Sequence, residues 1–233
     1  MDSPSSNFIT KASLYYCDKF PLRAVIQAIP ALGGSLDTML AGLGAKYQYD
    51  RLEKFIAHLN HKIANLQKNC VINDIKPSEE LFDFVIQAFE NVIKTRSEEK
   101  SKRLANIVAN QIANPIEWDE AETACRLLNE LTDNHIHVLM FSINANESAS
   151  FGQRGRLLRI SRKDKGASIF EEDSLYLNEC MPNISDMALR LICTELVSNC
   201  LLKDVGIGWG NTVPLTLLSP TELADWFIKW IDS

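Results

Sequence analysis

Cysteine pairs, catalytic signatures and uninterrupted apolar runs are what this sequence lacks. Its six cysteines, Cys17, Cys70, Cys125, Cys180, Cys193 and Cys200, are scattered and include no Cys-x-x-Cys. Neither a zinc knot nor a disulfide frame is indicated, and reduced, mostly buried thiols are expected. Ten glycines and eight prolines in 233 residues exclude a collagenous or low-complexity chain. The first six residues carry an acid and no base, and no apolar core of signal-peptide length follows, which points to a cytoplasmic protein. From Ala24 to Ala45 the one charge is Asp37. That stretch has the length of a membrane span, but Pro30, Gly33-Gly34 and Asp37 interrupt it. A buried helical hairpin is the simpler account, and no membrane partner is expected.

The motifs of common chemistries are missing too. There is no Gly-x-Ser-x-Gly elbow and no Gly-x-x-x-x-Gly-Lys-Ser/Thr loop, and the glycine-bearing loops at 152–155 and 206–210 do not lie between a parallel strand and a helix. Of the histidines, only His58 and His61 have ligand spacing on a helix. Without a His-Glu-x-x-His they read as solvated side chains of an amphipathic helix rather than a metal site. No catalytic residue, cofactor or metal is assigned, and the chain reads as a non-enzyme.

What is present is helical periodicity and an uneven charge. Residues 1–114 hold 14 bases and 12 acids, net +2, whereas residues 115–233 hold 10 and 18, net −8. The acidic half repels a phosphate backbone unless its bases cluster. Leu52, Phe55, Ile56, Leu59, Ile63 and Leu66 recur at three- and four-residue steps, predicting a long amphipathic helix. Ser78 and Ser97 open further helices, each followed by paired glutamates suited to a first turn. Another starts near Asp119, and Thr132 can cap a short one through His135 to Met140. Ser185 opens a helix ending near Cys200 with Leu189, Ile192 and Leu196 inward. Leu201–Val205 and Thr212–Leu218 then flank a glycine-bearing turn, predicting a β-hairpin, and Ser219-Pro220 predicts the start of a last helix. Helix, two-stranded wing and closing helix form the order of a winged-helix domain. The chain is therefore expected to be mainly α, with an N-terminal helical domain over 1–118 and a winged-helix-like domain carrying a small β-hairpin over 119–233.

Several segments together resemble a known family. They are Ile29-Pro30-Ala31-Leu32-Gly33-Gly34-Ser35-Leu36-Asp37, Arg51-Leu52-Glu53-Lys54-Phe55, the stretch from Ser78-Glu79-Glu80-Leu81 to Lys102-Arg103-Leu104-Ala105-Asn106, Leu127-Leu128-Asn129-Glu130-Leu131-Thr132, and Leu217-Leu218-Ser219-Pro220-Thr221-Glu222-Leu223. In that order they resemble the abortive-infection alpha (Abi-alpha) type of bacterial protein, while residues 141–185 depart from the pattern. The resemblance implies a small bacterial cytoplasmic protein tied to phage resistance, with no catalytic residues to carry over.

One cluster invites a functional reading. Arg154, Arg156, Arg159, Arg162, Lys163 and Lys165 are opposed within that stretch only by Asp164. Arginine recognises phosphate in a bidentate, planar way, so an anionic partner such as nucleic acid can be imagined here. The preferred alternative is that these bases neutralise Glu171, Glu172, Asp173 and Glu179. Alternation through Arg154–Ile160 suggests an extended segment, with Leu157 or Leu158 and Ile160 inward. The helix before the hairpin offers Asp186 and Glu195 against one Arg190, a poor surface for phosphate. Trp209, Trp226 and Trp230 are candidate interface residues, with core closure the ordinary alternative for the last two. The expected partner is a protein or a second copy of the chain. A nucleic-acid-binding regulator using residues 154–165 is the alternative.

Overall fold

A computed structural model describes residues 45–69, 79–113, 118–147, 157–164, 174–207 and 213–232. The described chain is 75% helical and 8% strand, so it is mainly α with one small sheet, as the periodicity indicated. No described helix is long and apolar enough to cross a membrane. The segment 24–44, the Ser78 cap, Arg154, Arg156, Lys165 and Trp209 fall outside the described residues.

The chain divides into two compact units, one of residues 1–129 with 230–233 and the other of residues 130–229. The division follows the helix that the sequence boundary at 118/119 precedes. In the first unit, α1 (Ala45–Asn69), α2 (Glu79–Lys94) and α3 (Glu98–Ala113) pack together, and α4 (Trp118–Glu130) follows. The three- to four-residue spacing of Leu52, Phe55, Leu59 and Ile63 turns all four inward, where they are buried; Phe55 meets Phe89 edge to face at 5.8 Å, an arrangement favoured by the ring quadrupoles. Ser97 caps α3 by accepting the Lys100 amide at 2.9 Å. Arg51 of α1 donates through Nη1 to the Ile93 carbonyl in the last turn of α2 at 2.6 Å, where unpaired carbonyls attract a cation. The unit also takes in the chain end: Asn106 and Asn110 of α3 donate to the carbonyls of Ile231 and Trp230 at 2.7 and 3.2 Å.

The second unit holds α5 (Asp133–Glu147), β1 (Leu157–Arg159), β2 (Ser174–Tyr176), α6 (Leu177–Cys180), α7 (Asp186–Ser198), β3 (Leu202–Asp204), β4 (Leu218–Pro220) and most of α8 (Glu222–Asp232). The strands form one sheet in the order β2-β1-β4-β3. β3 and β4 are antiparallel, with Leu202 opposite Pro220 and Asp204 opposite Leu218, while β1 joins β4 antiparallel through Leu158 and runs parallel to β2.

The sheet differs from the sequence expectation in three places. β1 and β2 enlarge the anticipated two-stranded element to four strands. The second arm pairs later than Thr212, because the chain turns first: Asp204 accepts the amides of Gly206 and Leu215 through its two carboxylate oxygens, and Leu215 takes a positive φ of 63°. Ser219 and Pro220 belong to β4, and the helix cap falls on Thr221, whose Oγ1 accepts the Ala224 amide at 3.3 Å. Pro220 is tolerated as the last strand residue because β1 pairs with β4 only at Leu218, so no ladder bond needs its missing N–H. α5 likewise runs past Met140 to Glu147, carried by buried Ile143 and Ala145.

Candidate functional site

The described part of the basic segment does not present one row of charges. Leu158 and Ile160 turn into the core as alternation requires, but Arg159 between them is also buried, at 0% exposure. The turn at Arg162–Asp164 covers the other face of β1: Arg159 donates through Nη1 to the Asp164 carbonyl at 3.0 Å and through Nε to Ser174 Oγ at 3.1 Å. Its Nη2 is buried without a hydrogen-bond partner.

The neighbouring bases go elsewhere. Arg162 forks onto Glu179, with Nη2 donating to Oε2 at 3.1 Å and Nε to Oε1. Its guanidinium lies 4.8 Å from the centre of the Tyr176 ring. The hydrogen bonds from Arg162 hold the Glu179 carboxyl below the ordinary range. Lys163 is exposed. Asp164 is taken by Arg190 of α7 and by Ser161 Oγ, which donates at 3.1 Å. The structure thus brings Arg159 and Arg162 onto internal partners, Glu179 among them, and leaves Lys163 in solvent.

α7 is the more open surface. Ser185 caps it by accepting the Ala188 amide at 3.3 Å, and Leu189, Ile192, Cys193 and Leu196 form its buried face. On the opposite face Met187 is 77% and Leu191 59% exposed, with Thr194 and Ser198 following at helical spacing. Ile207 and Val213, in the β3–β4 connection, are exposed as well. Sequence reading singled out none of these four apolar residues. The signal was there for α7: once Leu189, Ile192 and Leu196 are set inward, Met187 and Leu191 fall together on the other side. Of the candidate interface tryptophans, Trp226 is half-buried and Trp230 is buried.

α5 and α7 also share a buried imidazole. His135, at 4% exposure, receives the Thr132 amide on Nδ1 at 3.2 Å and contacts Thr132 Oγ1 at 2.7 Å through the same atom. A backbone N–H can only donate, so Nδ1 is the bare nitrogen and Nε2 carries the proton, which it gives to Glu195 Oε2 at 2.6 Å. Hydroxyl, imidazole and carboxylate stand in a row, but the free nitrogen already accepts a main-chain amide. The set works as a helix cap in which His135 takes the role of a capping-box glutamate.

Two of the cysteines are held in an unreactive state. Burial pushes the Cys125 and Cys193 thiols up to about 12, and thiols that are protonated at neutral pH are poor nucleophiles. Burial, then the nearby Lys102 charge, lowers His58. Among the described residues no cluster of three His, Cys, Asp or Glu side chains can hold a metal ion. No protein-family model, curated protein or solved structure matches the chain.

Proposed function

We propose that the protein is a non-enzymatic, abortive-infection-type component of bacterial phage defence that acts in the cytoplasm through contacts with another protein or a second copy of itself. In this reading the N-terminal helices make a bundle, and the C-terminal part is a winged-helix-like domain in which α7 precedes the β3–β4 wing and α8 closes the module. The carrying observation is the exposed pair Met187 and Leu191 on α7. In a winged domain this is the helix that enters a nucleic-acid groove, and there it needs cations. α7 instead bears Asp186 and Glu195, and its one base, Arg190, is bound to Asp164. Methionine and leucine left in solvent on that face suit a protein surface. The segments resembling the Abi-alpha type supply the phage-defence setting.

The test is a pull-down from phage-infected and uninfected bacterial cells, with nuclease treatment, comparing the unmodified chain with Met187→Glu/Leu191→Glu. The expected outcome is a protein partner retained after nuclease and lost in the double variant, together with loss of protection in a phage plating assay. Retention of both by a folded variant overturns the role of this face. The alternative, a nucleic-acid-binding regulator using residues 154–165, draws support among the described bases from exposed Lys163 alone, since Arg159 is interior and Arg162 is paired. Salt-sensitive DNA binding that Arg162→Gln/Lys163→Gln abolishes would favour it.

A further inference from the structure

We infer that the N-terminal unit holds a binding site for a phosphate group, free or carried on a small ester, in the cavity between α1 and the start of α3. The cavity measures about 230 Å³, and Arg51, Lys54, Arg96, Ser97 and Ser101 are among the residues that line it. It is smaller than the roughly 300–1,000 Å³ of sites that enclose drug-sized ligands, so it suits a single functional group with its immediate carrier.

Three independent features converge there. The first is charge. Lys54 is engaged by Glu98 at 3.4 Å, and Glu98 and Glu99 are further engaged by Lys102 at 3.4 and 2.8 Å, so the acids of the first turn of α3 have cations of their own. Among the described residues neither Arg51 nor Arg96 has a carboxylate partner, although Asp50 also lines the wall. The bond from Arg51 Nη1 to the Ile93 carbonyl at 2.6 Å fixes one guanidinium at the cavity edge, and Arg96 supplies a second from an exposed position. The second feature is the helix start itself. Ser97 satisfies the Lys100 amide, and the amides of Glu98 and Glu99 have no intrahelical acceptor; such amides, with the helix dipole behind them, favour an anion.

The third feature points to a ligand directly. Ser101 is only 5% exposed and lines this cavity, yet its Oγ is buried without a hydrogen-bond partner. A buried hydroxyl left unpaired is destabilising, and a χ1 rotation that turns it from the interior toward the cavity lets an acceptor oxygen there satisfy it. Phosphate has enough oxygens to meet a guanidinium fork, a hydroxyl and main-chain amides at once, which a flat carboxylate with two oxygens does not.

The experiment is calorimetric titration of the full chain with inorganic phosphate and, separately, with adenosine 5′-monophosphate, at low and moderate salt. Saturable binding of at least one probe is expected. A tenfold or greater preference for the monophosphate assigns the site to an ester, and equal or better binding of inorganic phosphate assigns it to the free ion. Arg96→Gln, at an exposed position, should weaken binding at least tenfold with no change in unfolding temperature. Ser101→Ala should weaken binding by a similar factor while leaving the ligand-free protein as stable or more stable, since it removes an unpaired hydroxyl. Absence of binding by the unmodified protein overturns the proposal, as does binding that both folded variants retain in full.

Discussion

At the scale of single residues, Arg159 shows where a one-dimensional pattern stops. Alternation along Arg154–Ile160 puts Leu158 and Ile160 in the core, and both are there. The same alternation sends Arg159 to the other face, which sequence treats as solvent. That face is covered because the chain doubles back at Arg162–Asp164 and offers Arg159 a carbonyl. A guanidinium taken out of water is costly unless its hydrogens are satisfied, and here Ser174 and Asp164 satisfy two of its nitrogens while Nη2 has none. Truncation removes packing and the two hydrogen bonds that Arg159 donates. Arg159→Ala should therefore cost about 3–5 kcal/mol, whereas Arg159→Met, which refills the volume, should lose clearly less. Urea unfolding of the two variants measures this; an alanine variant within about 1 kcal/mol of the parent would show that Arg159 is not a structural keystone of the sheet.

At the scale of elements, the helices were readable because each signal was local. Ser97 and Ser185 were expected as caps from their neighbours alone, and both accept the amide three residues on. The exceptions depended on partners distant in sequence. Ser219-Pro220 has the form of a helix start, but pairing with β3 holds both residues in β4 and moves the cap to Thr221, whose hydroxyl also donates to the Cys200 carbonyl at 2.7 Å. The alternation around β1 suggests extended chain without naming its neighbours in the sheet, and β2, at three residues, is too short to show a period. His135 has no partner at ligand spacing in the sequence, and its bond to Glu195 on α7, 60 residues on, is not readable from spacing. The end of α7 offers the cleanest test of local geometry. Leu201 N–H reaches the Leu196 carbonyl and Cys200 N–H the Val197 carbonyl, both at 2.9 Å, which is the Schellman arrangement. The residue that must turn left-handed is Cys200, with φ at 58°. A Cβ is disfavoured there. Cys200→Gly should raise stability by about 0.5–1 kcal/mol, the relief of backbone strain outweighing the added freedom of the unfolded chain. Thermal unfolding checks the sign; a lower midpoint would mean that the exposed thiol makes a contribution the backbone argument omits.

At the scale of the molecule, charge and connectivity act separately. The net −8 of residues 115–233 works against a phosphate backbone, and of the described bases that might offset it Arg159 is drawn inward while Arg162 and Arg190 are held by carboxylates. The inferred phosphate cavity lies instead in the half with net +2. Connectivity was the least legible property: a boundary drawn along the sequence assumes that a unit is continuous, and the N-terminal unit is not. It ends at Asn129 and resumes at Trp230, so its last pieces are made after the whole of the other unit. Trp230 is 6% exposed, and the carbonyls of Trp230 and Ile231 take Asn110 and Asn106. Core closure is the ordinary alternative to an interface role for Trp230 in the sequence, and its burial gives it that core role. Trp230→Ala should cost about 3–5 kcal/mol, and the loss should appear in the N-terminal unit, as faster amide hydrogen exchange along α3, more than 100 residues away in sequence. Exchange in α3 that stays as slow as in the parent would mean that the unit is held by α1, α2 and α3 alone and that the terminal contacts contribute little.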